Sequence, residues 1–507
     1  MTETCDLLVV GGGINGAGIA RDAAGRGLAV VLCEQADLAS ATSSASSKLI
    51  HGGLRYLEHG AFRLVREALA ERAVLLASAP HIIRPLRFVL PHDPAIRARW
   101  LVRLGLFLYD HLGGGRALPG TEAIAFAGHA FGAPIKPAIV HGFAYSDCAV
   151  DDARLVVLNA RAAAAHGADI LTRTRLIAAR RDGAVWRARL RDLRDGTERE
   201  VQARALVNAA GPWVADVIGQ VGGASRRGMR LIKGSHIVVP KLYDGDHAYI
   251  LQNDDRRIVF VLPFQERFSL IGTTDVPFEG DPAKVAIAPA EVAYLRAAVS
   301  RWFKTPVTQD QIIWRYAGVR PLYDDHAADA AAVTRDYVLE LDASAGAPPL
   351  LSVFGGKITT FRRLAEQALD KLAPFFPSAR PAWTRTALLP GGDLGAGGLA
   401  ALTARLAAAH PGLPASLIDR LARSYGSDAP AILGDAQRIE DLGPCFGGGL
   451  SAREVDWLVE REWAREATDI LWRRTKLGLA IDAAGAERLR DYLTAKTDPE
   501  TARRSIA

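Results

Sequence analysis

Residues 46–56, SSKLIHGGLRY, concentrate groups that can do chemistry: two hydroxyls (Ser46, Ser47), an ammonium (Lys48), an imidazole (His51), a glycine pair (Gly52, Gly53), a guanidinium (Arg55) and a phenol (Tyr56). An ordinary helix or strand has no use for so many polar groups in so short a span. They suit a polar ligand, with hydroxyls and backbone N–H groups meeting phosphate oxygens or the edges of a ring. A flexible surface linker accounts for the small-residue run at 39–45, but not for the denser set from Ser46 to Tyr56.

The element that must position this loop lies just upstream. CDLLVVGGGINGAGIARDAAGRGLAVVLCE (5–34) has the order strand, glycine turn, helix, strand. Leu7 to Val10 are a short apolar run bounded by glycines, as a buried parallel strand should be. Gly11, Gly13 and Gly16 form GxGxxG at the mouth of a helix running to about Arg26. The first glycine makes the tight turn, the second lets backbone N–H groups approach a pyrophosphate, and the third lets helix and strand pack closely. Glu34 ends the second strand, placed to accept both hydrogen bonds of an unphosphorylated adenosine ribose. A dinucleotide follows, with NAD and FAD both open at this point. The hydroxyl-rich loop favours the flavin, because a nicotinamide domain usually proceeds directly to its next helix and strand. Two further glycine turns fit the same ligand. ARALVNAAGPW ends a strand in small residues (Ala210, Gly211) that let backbone approach a flat ring. LLSVFGGKITTF sets Gly355 and Gly356 before a helix whose N-terminal dipole favours negative charge.

The chain of 507 residues predicts two or three compact units, and 49% hydrophobic with 23% charged residues marks a folded globular protein. Four cysteines without a CxxC pair or a Cys/His cluster point to a reducing compartment, with no disulfide framework and no metal. Strand-like residues begin near position 6, so no signal peptide is expected, and no apolar run reaches the ~18 residues of a spanning helix. The net charge of +6 weakly favours anionic partners such as a substrate phosphate or lipid headgroups. With no nucleic-acid motif and no basic block, no nucleic-acid partner is expected. RWLVRLGLFLYDHLG (99–113) is an apolar run flanked by arginines. It reads more commonly as a buried core helix, and alternatively as a helix at the headgroup boundary.

With SSKLIHGGLRYLEHG and the glycine fingerprint, several other stretches occur in one family's order over nearly the whole chain: YSDCAVDDARLVVLNA (145–160), NAAGPW (208–213), KGSHIVV (233–239), IGTTD (271–275), GVRPL (318–322), TRDYVL (334–339), FGGKITTFRRLAE (354–366) and DILWRRTKLGL (469–479). The chain resembles the FAD-dependent, membrane-associated glycerol-3-phosphate dehydrogenases, a branch of the D-amino-acid-oxidase-like flavoproteins. The resemblance implies an α/β fold: a Rossmann-like FAD-binding domain (1–215 and 340–373), an inserted mixed-sheet substrate domain (216–339), a linker (374–389) and a C-terminal helical domain (390–507). It implies non-covalent FAD, held by Gly11, Gly13, Gly16, Glu34, Ser46, Ser47, Lys48, His51, Gly52, Gly53, Ala210, Gly211, Gly355, Gly356, Lys357 and Thr359.

The implied activity is oxidation of sn-glycerol 3-phosphate to dihydroxyacetone phosphate, with hydride passing to the flavin and electrons to a membrane quinone. Arg320 and Arg335 would clamp the phosphate, since a planar guanidinium binds two oxygens at once. His236 would be the general base, with a reference pKa near neutrality. Arg55, Tyr56 and Lys357 would line the substrate pocket. The implied location is cytoplasmic, peripheral on the inner face of the cytoplasmic membrane, and a homodimer is compatible with the sequence. The alternatives are a glycerol-3-phosphate oxidase using dioxygen and an amine oxidase of the same fold.

Overall fold

The computed structural model describes residues 3–113, 118–223, 229–255, 257–323, 336–343 and 346–497. Two sheets organise the chain. The first has eight strands and is built on β1 (Glu3–Val10), which pairs in parallel with β2 (Val30–Cys33) on one side and Glu198–Asn208 on the other. Leu350–Phe354 adds a further parallel strand and Val338–Asp342 an antiparallel edge. Leu7, Leu8 and Val9 are fully buried, as continuous apolar runs are when layers cover both faces of a parallel sheet. α1 (Ile14–Gly25) packs there with α4 (Asp152–Ala165) and the helix Phe361–Leu372.

The second sheet has ten strands. Its longest strand, Met229–Pro240, pairs antiparallel with Trp314–Tyr323 and with Phe268–Gly272. The expectation that residues 1–215 belong wholly to the cofactor unit fails here. Ile83–Pro91 joins this second sheet beside Ala248–Gln252, and brings with it His141–Val150, Leu49–Ile50 and Glu122–Ala125. The physical reason is connectivity. Ile83–Pro91 and His141–Val150 pair antiparallel with each other, so they cannot continue a parallel βαβ array and instead extend the antiparallel sheet.

α2 (Phe62–Ser78) and α3 (Arg99–Leu112) cover one face of this sheet, with Val65, Leu69, Leu106 and Tyr109 in its apolar layer. The core reading of α3 is corrected by its exposure. Of its residues only Leu106 and Tyr109 are buried, while Trp100 (68%) and Phe107 (56%) stand in solvent beside Leu101 and Leu104. No helix among the described residues is long and apolar enough to cross a membrane.

The proline-rich segment 374–389 packs rather than dangles: the Trp383 indole N–H donates to the Asp22 carbonyl at 3.2 Å, and Thr384 and Leu389 are buried. Beyond it lies a helical body with its own apolar core. Buried arginine forks dock this body on the first unit. Arg154 spans both oxygens of Glu462 at 2.6 and 3.0 Å, and Arg474 spans both oxygens of Asp37 at 2.8 Å. Buried charges persist when paired and hydrogen-bonded in this way.

Candidate active site

The carboxyl ends of the parallel strands open into a cavity of about 690 Å³, the place where open α/β sheets hold their ligands. Gly11, Gly13, Ala210, Gly211, Gly355 and Gly356 border it. Gly11 has φ +111°, and a Cβ there would stand 2.5 Å from the Ala209 carbonyl oxygen. Gly16 lies behind the wall, where a Cβ would be 1.9 Å from the Gly11 oxygen; its task is packing helix on strand. Glu34 borders the cavity at the end of β2. Its Oε2 accepts the Gly12 N–H and its Oε1 the Ala36 N–H, both at 2.7 Å. Burial nevertheless pushes this carboxyl above its ordinary pKa.

The small-residue run 39–45, read from sequence as a surface linker, forms part of the cavity wall. Ser43 Oγ accepts the Ile14 N–H at 3.0 Å, so this loop caps the first turn of α1, and the Thr42 hydroxyl donates to the Val319 carbonyl at 2.6 Å. The denser set beyond it is partly anchorage. Ser46 Oγ and Lys48 Nζ both donate to Asp152 Oδ2, at 2.7 and 2.9 Å, and Lys48 alone of the two borders the cavity. Thr359 bonds the backbone of His51 in both directions, and the Gly52 N–H donates to the Tyr109 hydroxyl. His51, Gly52, Gly53 and Thr359 stand outside the cavity wall.

His236 is buried in the second sheet between Ser47, whose Oγ is 2.9 Å from Nε2, and the ring of Tyr316, stacked at 4.8 Å. Gly272 on the neighbouring strand makes the room, since a Cβ there would be 2.0 Å from the imidazole. Burial, reinforced by Lys48 and Arg320, lowers the His236 pKa to about 3, so the ring is neutral at physiological pH. Its Nδ1 is buried with no hydrogen-bond partner among the described residues. Arg320 Nη2 donates to Asp275 Oδ1 at 2.5 Å and to the Thr274 carbonyl at 2.9 Å. Lys357 Nζ sits 4.0 Å from the Tyr56 ring centroid, buried and without a hydrogen-bond acceptor among the described residues. Arg55 lines a separate crevice of about 50 Å³ with Glu58, Arg97, Gln252 and Asn253. Arg335 lies outside the described residues.

Sequence reasoning missed the contribution of the helical domain. Thr468, Trp472, Arg473 and Lys476 border the cavity. Trp472 stacks on Trp314 at 4.4 Å, Trp314 meets Tyr316 at 4.9 Å, and Tyr316 stacks on His236. The available signal was DILWRRTKLGL itself, a tryptophan inside a basic cluster.

Comparison with known proteins decides the family. The profile described as FAD dependent oxidoreductase matches residues 6–362, and the one described as C-terminal domain of alpha-glycerophosphate oxidase matches 382–494. The chain is 58% identical to a glycerol-3-phosphate dehydrogenase of Pseudomonas aeruginosa, over 97% of this chain and 96% of that protein. It is 52% identical to the aerobic glycerol-3-phosphate dehydrogenase of Escherichia coli, over 98% of each. The chain belongs to the glycerol-3-phosphate dehydrogenase family of FAD-dependent oxidoreductases. A D-erythritol 1-phosphate dehydrogenase of Brucella abortus is 53% identical over 95% of this chain and 96% of that protein. Among solved structures, the glycerol-3-phosphate dehydrogenase of Bacillus halodurans complexed with FAD superposes with a TM-score of 0.77 at 27% identity, covering 98% of this chain and 91% of that one.

The cavity fits the family's cofactor FAD. Its volume lies within the range of organic-ligand sites, its glycine turns let backbone come close, and Asn15 Oδ1 in its wall is buried with no partner among the described residues.

Proposed function

We propose that this enzyme oxidises sn-glycerol 3-phosphate at C2 to dihydroxyacetone phosphate and passes the electrons to a membrane quinone. The observation that carries the reading is the full-length identity to glycerol-3-phosphate dehydrogenases. The buried His236 imidazole, the half-buried Arg320 guanidinium and the buried Lys357 ammonium supply the groups this reaction needs. FAD, when bound, supplies the two-electron acceptor for the C2 hydride. Cys33, the cysteine in the cavity wall, has its thiol pushed up to about 12 by burial, which suits non-covalent attachment.

Arg320 is the first clamp on the substrate phosphate and Arg335 the second, since a planar guanidinium binds two oxygens at once. His236 serves as base in the tautomer that donates Nε2–H to Ser47, leaving the Nδ1 lone pair for the C2 hydroxyl proton. The arriving phosphate dianion raises the basicity of that ring by opposing the Arg320 charge. Lys357 donates to the developing alkoxide, which offsets the cost of an ammonium buried without an acceptor.

The quinone reading is supported by α3, whose outward Trp100, Leu101, Leu104 and Phe107 are flanked by Arg97, Arg99 and Arg103. Apolar side chains framed by cations suit shallow seating among anionic headgroups. The contact is accordingly peripheral, on the inner face of the cytoplasmic membrane. The test is anaerobic reduction of the holoenzyme by glycerol 3-phosphate, then mixing with a soluble ubiquinone analogue or with air. Fast reoxidation by quinone and slow reoxidation by air is expected; the reverse identifies an oxidase. Faster reduction by D-erythritol 1-phosphate than by glycerol 3-phosphate would reassign the substrate.

A further inference from the structure

α3 and the two residues just ahead of it are attached at two places to the loop that carries Arg55 and Tyr56. Near the end of the helix, the buried Tyr109 hydroxyl accepts the Gly52 N–H at 2.7 Å and donates to Asp147 Oδ2 at 2.7 Å. The other oxygen of Asp147 takes Arg72 Nη1 at 2.5 Å, and the same nitrogen donates to the Ser146 carbonyl at 2.9 Å. This carboxylate therefore fixes the direction of the phenol O–H and leaves the phenol oxygen to hold Gly52. Burial and the neighbouring Asp147 raise the Tyr109 pKa well above its ordinary value, so the proton stays in place.

Gly52 has no freedom to drift. A Cβ there would stand 2.5 Å from Leu69 and 2.7 Å from the Tyr109 oxygen. Gly53 follows with φ +75° and opens the short helix Leu54–His59, on which Arg55 and Tyr56 are carried. The second attachment lies just ahead of α3, where Arg97 is ion-paired with Glu58 of that same short helix.

We infer that Tyr109 is a positioning residue for the substrate: through the Gly52 N–H it sets where Arg55 and Tyr56 stand, so that α3 and the substrate loop move as one piece. The inference rests on the substrate role that the family resemblance implies for Arg55 and Tyr56, the latter with its ring centroid 4.0 Å from Lys357 Nζ. It gives α3 a task on its inner side distinct from that of its outward apolar face. Whatever displaces the helix displaces the two side chains as well.

The test uses the FAD-loaded enzyme with Tyr109→Phe, which keeps the ring and deletes the hydroxyl. Loss of the hydroxyl's two buried hydrogen bonds, which leaves the Gly52 N–H only its 3.4 Å contact with Asp147 Oδ1, should accelerate amide hydrogen exchange across residues 52–59 by about five- to tenfold. KM for glycerol 3-phosphate should rise by a similar factor, with kcat held within about twofold and FAD content unchanged. Leu106→Ala, a buried apolar truncation on the same helix, should lower the melting temperature without moving KM. In an Arg55→Ala background the Tyr109→Phe change should add little to KM, because both act through one loop. Unchanged exchange over 52–59 overturns the anchor. A KM rise in the Arg55→Ala background as large as in the parent overturns the route through the loop. Faster exchange with KM unmoved by Tyr109→Phe, Arg55→Ala and Tyr56→Phe alike overturns the substrate assignment while leaving the anchor standing.

Discussion

The dinucleotide end of the cavity and the proposed substrate site, whose groups stand just outside the cavity wall, are built by opposite strategies. The dinucleotide end comes from one continuous stretch: β1, the glycine turn, α1 and β2 supply Gly11, Gly13 and Glu34 within a single βαβ unit. The groups proposed to handle substrate come from far apart. His236 and Arg320 stand on paired strands of the second sheet, Tyr56 on a short helix before α2, and Lys357 beyond the strand Leu350–Phe354. The first end depends on local geometry, and so on residues that tolerate no side chain. The second depends on register between distant strands, and so on residues whose loss leaves the scaffold intact.

The sharpest way to break the first end is Gly11→Ala. Its positive φ and the Ala209 carbonyl in the path of a Cβ combine strain of about 1–3 kcal/mol with a steric clash. The expected outcome is a folded protein purified without FAD, read from its visible spectrum. Full flavin content would show that the turn relaxes.

His236→Asn addresses the second end with FAD retained. Removing a general base should slow anaerobic flavin reduction by roughly a hundredfold or more. The sign of the pH effect follows from the lowered pKa: with its folded value near 3, the imidazole is already deprotonated throughout pH 5–8. The fold-loss measured at subsaturating substrate, which reports the free enzyme, should therefore be constant across that range. A loss confined to the alkaline side of a limb near 6.5 would mean that the imidazole titrates as an ordinary exposed histidine.

The smallest of the three effects is expected from Arg320→Ala. It removes charge-assisted hydrogen bonds worth about 1.5–3 kcal/mol, or roughly a ten- to hundredfold loss in kcat/KM for glycerol 3-phosphate. FAD content should stay unchanged, and the loss should shrink with unphosphorylated glycerol. Equal losses on both substrates would make Arg320 a structural residue tied to Asp275 and Thr274.

The same contrast explains what could be read from the sequence. GxGxxG followed by Glu34 is a pattern at fixed short spacing, so chain order alone carries its geometry. The placement of Ile83–Pro91 and His141–Val150 in the second sheet was not legible, because an apolar strand does not announce its partner. Composition could not tell the outward α3 from a core helix either, since a run of Leu, Phe and Trp satisfies both. Arg474 reaching Asp37 across 437 positions is beyond any local signal. Ser46 and Thr359 were visible as polar groups near the cavity, yet whether a hydroxyl faces a ligand or ties two loops together depends on partners supplied by other elements, such as Asp152 and the backbone of His51.

The indole pair Trp472 and Trp314 turns the seam between the helical domain and the cavity into a built-in optical gauge. One ring belongs to each body, and Trp472 forms part of the wall that FAD would line. Isoalloxazine absorbs where tryptophan emits, so emission from this pair is quenched when the cavity is filled. It also changes when the two bodies part, because stacked rings exposed to water shift their emission to longer wavelength. With the other seven tryptophans replaced by phenylalanine, the emission of this pair would report cofactor loading as a change of intensity and domain separation as a change of colour, two events that a melting curve alone would merge.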